Sequence, residues 1–407
     1  MKDLVAKQRA LMRKLSMAGD FVNAKKAGML VLKRSPKDAA VYAELAYCDF
    51  QLRKHEDAIR WGMKALALEP ENLPALVAVA SAHGALDDRE QARLYGRMAL
   101  EVRDRAILKV APARKPGAPR MQGTKKLVCF SLFGNSPKYC EPAVINALKQ
   151  PAIYPGWISR FYVDDTVPVH VKERLRTAGA EVVEVTGLIG RWPGPMWRFA
   201  AADDAGASHV IFRDADSIIS PREAGAVSEW LESGKAFHVM RDAPTHSSLI
   251  LAGMWGLVAG ALDDMGAMVE SFLDRQCPGW RQTGVVTTPQ TRTLDQRFLA
   301  RYIWPYARNN MMHHDSVFGF LEHREFPDGI RHSTENVGNC ESTALMQIKI
   351  EGRKDQPVTW KIYSREADDE ALVCAYDGHI RNGVLWVNIP VEYAQKIDEG
   401  KMVVRVV

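Results

Sequence analysis

Two triplets of small residues recur at a fixed interval of 34 along the first hundred positions, and that period excludes most of what such a segment could become. Ala24, Ala58 and Ala92 form one triplet, Gly28, Gly62 and Gly96 the other, and Pro36 is followed 34 residues later by Pro70. Between them lie Tyr42, Leu45 and Ala46, then Leu76, Val79 and Ala80, at the i, i+3, i+4 spacing of a helix face. Alanine and glycine let a neighbouring helix approach closely, and proline, which lacks an amide hydrogen, ends the second helix of each pair. The expectation is an all-α array over residues 1–106, in units near 5–38, 39–72 and 73–106. Three such units are about the minimum that buries a continuous core.

The pattern resembles the tetratricopeptide repeat, with one departure. The family's bulky residue late in the second helix is replaced by Gly28, Gly62 and Gly96, which predicts a different helix packing in detail. The resemblance implies a concave surface that receives a peptide or partner protein. The residues alone leave a spacer or dimerisation element equally open, and with it a homodimer.

Beyond the repeats the texture changes twice. Residues 107–124 carry Pro112, Pro116 and Pro119 among Ala, Gly, Lys and Arg, which reads as an extended linker. Residues 125–344 then alternate short apolar strands (127–133, 160–163, 181–185, 209–212, 236–240) with helical stretches (139–149, 169–178, 196–204, 222–232). That alternation predicts a mainly parallel α/β sheet, whose ligands bind at the carboxyl ends of the strands. Residues 345–407 hold five β-type runs, at 346–350, 359–363, 372–375, 384–389 and 402–406, separated by Asp, Gly and Pro. They predict a small antiparallel β appendage, with a sandwich as one form.

Charge and cysteine usage narrow the setting. The net charge of +5 is uneven: residues 1–36 hold nine Lys/Arg against two Asp/Glu, and residues 107–126 hold six Lys/Arg and no acid. Basic segments of this kind meet anionic lipid, nucleic acid or an acidic partner, or simply face solvent. Little beyond the basic linker speaks for nucleic acid. The first residues lack a signal-peptide core, and no apolar stretch approaches the roughly 20 residues of a membrane span. A cytoplasmic protein is expected, peripheral to the inner face of the membrane if the basic start meets lipid. The six cysteines are scattered without a Cys-x-x-Cys pair, against both a disulfide framework and a structural zinc site.

The chemistry is concentrated in Arg213-Asp214-Ala215-Asp216-Ser217, where an apolar strand opens into two carboxylates at i and i+2. A diphosphate leaving group needs its developing charge neutralised, and Mg²⁺ or Mn²⁺ held by one or two carboxylates does this. The chain here resembles GT-A nucleotide-sugar glycosyltransferases, and more closely a group carrying a set of motifs in fixed order. They stand here as Arg213 to Ser217, Arg222-Glu223, Trp230-Leu231, Phe237-His238-Val239-Met240-Arg241-Asp242 and Gly253-Met254-Trp255-Gly256. The resemblance covers roughly residues 126–340; Ala243-Pro244-Thr245-His246 departs from the family's His-Pro-x-His. It implies a Rossmann-like GT-A domain after the repeats.

By that resemblance Ser131, Leu132, Phe133 and Asp164 line the nucleotide-base pocket. Arg198 and Arg213 lie near the phosphates, although Arg198 could equally pair with Asp203 or Asp204. Asp214 and Asp216 bind metal, and His314 supplies a further ligand that suits Mn²⁺. Gly253 and Gly256 let a ligand approach the backbone, while Trp255 either stacks on a sugar or packs in the core. Gln296 faces donor or acceptor. Asp295 does work near the anomeric carbon or caps the helix after it, and Arg241 and Asp242 complete the catalytic candidates.

The implied reaction moves a sugar from a nucleoside diphosphate, UDP by preference and with retention favoured, to a protein or surface-glycan acceptor. Two rivals remain. One is a repeat scaffold whose α/β domain has lost activity. The other is an Asp-x-Asp phosphohydrolase, which would put the motif after its first strand and needs a Gly-Asp acid motif; the only Gly-Asp is Gly19-Asp20 in the repeats.

Overall fold

The computed structural model describes residues 2–120, 123–285, 288, 291, 293–327, 336–339, 343–350, 355–366 and 369–407. Six helices come first: α1 (Lys2–Met17), α2 (Phe21–Leu32), α3 (Ala39–Gln51), α4 (His55–Leu68), α5 (Leu73–Ala85) and α6 (Arg89–Val110). They are followed by β1 (Lys125–Leu132), α7 (Pro137–Ile153), β2 (Ile158–Val163), α8 (Val169–Thr177), β3 (Glu181–Glu184), β4 (Ala207–Phe212) and α9 (Pro221–Glu232). Next are β5 (Phe237–Arg241), β6 (Trp255–Val258), α10 (Met265–Gln276), α11 (Trp280–Thr283), α12 (Leu294–Phe298), α13 (Trp304–Ala307) and β7 (Met311–Asp315). The chain ends with β8 (Thr343–Lys349), β9 (Gln356–Ser364), β10 (Ala371–Arg381), β11 (Val384–Pro390), α14 (Val391–Asp398) and β12 (Met402–Val406). Contacts gather these into two compact units, each discontinuous in sequence. One comprises Met1–Pro116, Trp230–Leu251 and Thr288–Pro327; the other comprises Gly117–Glu229, Ala252–Thr287 and Asp328–Val407. No helix among the described residues is long and apolar enough to cross a membrane.

In the first unit the 34-residue period becomes three helix pairs, the all-helical tetratricopeptide-like array that the spacing predicts. The period also governs the helix ends. Asp20 and Asp88 cap α2 and α6, and Asp38 and Asn72 cap α3 and α5, each side chain accepting from the amide three residues on. Gly19, Arg53 and Asp87, again 34 apart, adopt positive φ (80°, 57°, 57°) and turn the chain between the two helices of each pair. The glycine triplet sits where no Cβ fits. One added at Gly28 would meet Met12, and one at Gly62 would lie 2.3 Å from a Val79 methyl. The bulky residue of the family is thus excluded sterically, and the helices close over the gap.

α6 runs to Val110, four residues past the expected edge at 106, and its far side is occupied. Asp104 accepts from Trp304 Nε1 (2.7 Å) and Arg308 Nε (2.9 Å), and Arg97 Nε donates to the Phe318 carbonyl (3.1 Å). The third pair therefore packs on residues 304–320 of its own unit. There β5 and β7 pair in parallel, Val239 opposite His313 and Arg241 opposite Asp315. The helix expected after Asp295 is present but interrupted: residues 299–303 widen into a π turn, with Trp304 N–H reaching Leu299 O. Pro305 comes next, without an amide to donate, and the wider turn gives its ring room.

In the second unit the strand order is β3-β2-β1-β4-β6. The first four run parallel, and β6, a strand that the residue pattern did not announce, lies antiparallel to β4. The helix expected over 196–204 is a 3₁₀ coil, Gly194–Asp203. Its buried Met196, Phe199 and Ala202 recur every third residue, the period of that tighter helix.

The C-terminal strands form one antiparallel sheet, β12-β9-β10-β11-β8, and not a sandwich. Trp360, Ile362, Tyr376, Leu385 and Val387 make its buried face. It belongs to the second unit, and a buried carboxylate is one of its ties there. Glu141 of α7 receives both guanidinium nitrogens of Arg174 (2.8 and 2.9 Å) together with the hydroxyls of Tyr376 (2.6 Å) and Tyr393 (3.1 Å).

Candidate functional site

The turn after β4 is built before any ligand arrives. Arg213 N–H still pairs with Cys129 O of β1 (3.0 Å), after which the chain turns tightly, Ser217 N–H returning to Asp214 O (3.2 Å). Asn146, wholly buried in α7, clamps the turn and the residues just beyond it. Its Nδ2 donates to the carbonyls of Ser217 (2.9 Å) and Ala215 (3.4 Å), and its Oδ1 accepts from Ile219 N–H (2.9 Å). Ser220 and Pro221 then start α9, and Glu223 turns back beneath the turn.

That return takes Arg213 out of the proposed phosphate set. Its side chain is buried against Glu223 (3.1 Å), and it also donates to Tyr154 Oη (3.3 Å) and the Phe212 carbonyl (2.9 Å). Burial alone would pull protons off this guanidinium, but the Glu223 charge holds its pKa above the usual arginine value. Arg213 anchors the turn from below. Trp255 is likewise no sugar platform: it has no exposed surface, stacks on Phe212 with centroids 4.4 Å apart and meets Phe199 edge-on.

Asp214 and Asp216 are each only partly buried. Arg198, from the 3₁₀ coil, donates through Nη1 to Asp214 Oδ1 (2.7 Å) and to the Arg213 carbonyl; Asp203 and Asp204 have other partners. Gly253 faces the other oxygen, and a Cβ built there would lie 2.1 Å from Asp214 Oδ2. Its neighbour Gly256 is buried in β6 opposite Ile211. Burial, then the charge of Asp214, push the Asp216 carboxyl up to about 6. The ionised form is therefore penalised by folding. The penalty is absent near pH 4, grows as pH rises and is complete above about 6. Metal-free Asp216→Asn should then exceed wild type in stability by up to about 3 kcal/mol at about pH 7.5, the gap closing near pH 4. Denaturant midpoints read this directly, and a gap that ignores pH would contradict it.

Two carboxylates one residue apart, one of them reluctant to ionise alone, suit a hard divalent cation that keeps water and phosphate oxygens as its other ligands. Among the described residues no group of three or more His, Cys, Asp or Glu side chains is arranged to hold a metal ion.

The expected base pocket is organised by a residue that the motifs passed over. Thr166 Oγ1 donates to Asp164 Oδ1 (2.5 Å) and accepts from Gly134 N–H (2.6 Å), so it ties the loops after β1 and β2 together. Ser131 Oγ accepts from Arg198 N–H (3.0 Å), and Phe133 packs edge-on against Trp197. Leu132 is buried in the core.

The remaining candidates belong to the first unit. Arg241 is fully buried: it donates to the carbonyls of Ser248 (2.9 Å) and Leu249 and touches His313, while burial lowers its pKa to about 10. It fastens the chain after β5 and presents no face to substrate. Asp242 accepts from Ser316 Oγ, and its own amide donates to His246 Nδ1 (3.1 Å). Gln296 Oε1 accepts from Ser248 Oγ (2.9 Å). Asp295 is the second residue of α12, after Thr293, and its carboxylate accepts from Gln296 N–H rather than capping the helix. His314 is wholly buried, its Nδ1 3.0 Å from His238 Nε2, and His238 stacks on Trp230.

No family model matches the chain, and no curated protein does. Among solved structures it is similar to the first tetratricopeptide domain of Spaghetti (RPAP3) bound to an HSP90 peptide, at 20% identity over 25% of this chain and 81% of that one, with a TM-score of 0.24. It is similar to PcrH in complex with the chaperone-binding region of PopD at 19% identity, over 25% and 77%, with a TM-score of 0.25. It is also similar to a mutant O-GlcNAc transferase of Thermobaculum terrenum at 13% identity, over 52% and 46%, with a TM-score of 0.29.

Proposed function

We propose that this chain is a metal-dependent glycosyltransferase that moves a sugar from a nucleoside-diphosphate donor, UDP by preference, to a protein or surface-glycan acceptor. The observation that carries the reading is the clamped turn with Asp214 and Asp216 at the carboxyl end of β4, where an open α/β sheet binds its ligands. Mg²⁺ or Mn²⁺ held there supplies charge neutralisation to the departing diphosphate. Arg198 fixes the Asp214 carboxylate and adds positive charge beside it. Asp164 and Thr166, pre-set by their mutual bond, receive the nucleoside.

A panel of nucleotide sugars with Mn²⁺ or Mg²⁺, scored by released nucleoside diphosphate, tests this. Asp214→Asn and Asp216→Asn should each lower release by at least about a hundredfold. No donor bound or turned over, or variants equal to wild type, sinks the reading. That outcome would favour the second one, a non-catalytic repeat scaffold, which has in its support the burial of Asp242, Trp255 and His314.

A further inference from the structure

The C-terminal sheet buries one face only. Along β10 and β11 the inward residues Cys374, Tyr376, Ile380, Leu385 and Val387 are buried, while those between them turn outward. Among the outward ones is Trp386, 48% exposed. Eight of the ten tryptophans are buried, and Trp61 is half-buried against Tyr42, so Trp386 is the one left in the open. A large apolar ring held in water and rimmed by polar groups marks a binding surface.

The strand register sets what surrounds it. Gln347 of β8 stands directly opposite Trp386. Two residues back along β11, about 7 Å away, Val384 lies between Lys349 of β8 and Arg381 of β10. Gln347, Lys349 and Arg381 are exposed, and among the described residues neither cation has a carboxylate partner. His379, exposed, and Asn388, half-buried, stand on the same face. Outward from the strands point Lys349, Lys361, Arg381 and Arg405 against one acid, Asp377, which already accepts from Thr359 Oγ1 (3.0 Å).

We infer that this face binds an acidic glycan. One sugar ring lies on the Trp386 indole, Gln347, His379 and Asn388 exchange hydrogen bonds with hydroxyls, and a carboxylate of the same chain meets Lys349 and Arg381. The acid is required by the charge of the face, and the sugar by the platform: a single indole beside amides and an imidazole, which both donate and accept, suits hydroxyls. Single-stranded nucleic acid fits less well, because sheets that bind it stack successive bases on several aromatic rings. The other outward Tyr or Trp ring of these strands, Tyr363, is half-buried and has the Arg405 guanidinium over it, 5.2 Å from its centroid. Binding here requires neither metal nor nucleotide sugar, so its failure and the failure of the transferase reading are told apart.

The probe is an end-labelled oligogalacturonate of about six sugars, enough to cross a sheet whose five strands stand about 4.8 Å apart. Anisotropy with the full chain should show saturable binding that weakens with salt. Trp386→Ala should weaken it at least about tenfold, as should Lys349→Gln and Arg381→Gln together. The methyl ester of the same glycan, which lacks the charges, should bind wild type at least about tenfold more weakly than the acid does. The double variant should bind acid and ester alike, because the two cations are what distinguishes them. All three replaced side chains are exposed, and unchanged unfolding midpoints verify the fold. Absence of binding, binding indifferent to Trp386, or wild type that does not distinguish acid from ester overturns the inference. So does tighter, Trp386-dependent binding of oligothymidylate, or a dimer that Trp386→Glu dissociates.

Discussion

Gly253→Ala should cut donor turnover by at least about a hundredfold, because a displacement near 1 Å in a catalytic constellation costs about that much. The cause is steric and local. A methyl group at 253 would sit 2.1 Å from Asp214 Oδ2, 2.5 Å from its Cγ and 3.0 Å from its amide nitrogen. Rotating the carboxylate clears the first two contacts but breaks the 2.7 Å bond to Arg198, and the third is backbone that no rotamer relieves. Gly253 is not among the glycines with positive φ, so alanine brings no conformational strain of its own. Initial rates at saturating donor and metal measure the effect, with unfolding midpoints as control. A variant with wild-type turnover would show that Asp214 need not hold this position, and the proposed metal site would fall with it.

How far the sequence discloses this site depends on what each residue touches. The 34-residue period survives into structure because solenoid contacts repeat with it, down to the caps at Asp20 and Asp88 and the turns at Arg53 and Asp87. The strand leading into Asp214 and Asp216 is legible because a short apolar run followed by acids has few other uses. Arg213, Arg241 and Trp255 mislead for one shared reason. Their side-chain types serve ligands and interiors equally well, and only burial against partners such as Glu223, Leu249 and Phe212 separates the two. Asn146 and Thr166 escape notice for the opposite reason. Their work is done on backbone atoms of distant loops, 69 to 73 residues away for Asn146, and no local pattern records such bonds. The C-terminal strands show in their alternation, whereas their attachment through Glu141 does not.

That attachment carries a large expected stability effect in the second unit. Glu141→Ala should lower stability by about 3–5 kcal/mol, the usual cost of removing one partner from a buried charged pair. The carboxylate has no exposed surface and holds Arg174, Tyr376 and Tyr393 at once. Its loss leaves a partly buried guanidinium and two buried hydroxyls without their acceptor. Tyr376→Phe and Tyr393→Phe each remove one donor and leave the ion pair, so each should cost only about 1 kcal/mol. The three single losses should not sum to the Glu141 effect, since all four groups share one network. Denaturant unfolding followed by tryptophan fluorescence, with Trp360 in the sheet's buried face, measures each variant. The consequence reaches the proposed site through α7. Five residues beyond Glu141 the same helix carries Asn146, which clamps the turn bearing Asp214 and Asp216. A helix loosened at Glu141 should therefore also weaken donor binding, while Lys149→Ala, which breaks only the exposed pair with Glu392, should do neither. If Glu141→Ala unfolds at the wild-type denaturant concentration, the C-terminal sheet does not brace α7, and its tie to the carboxylate turn has no energetic basis.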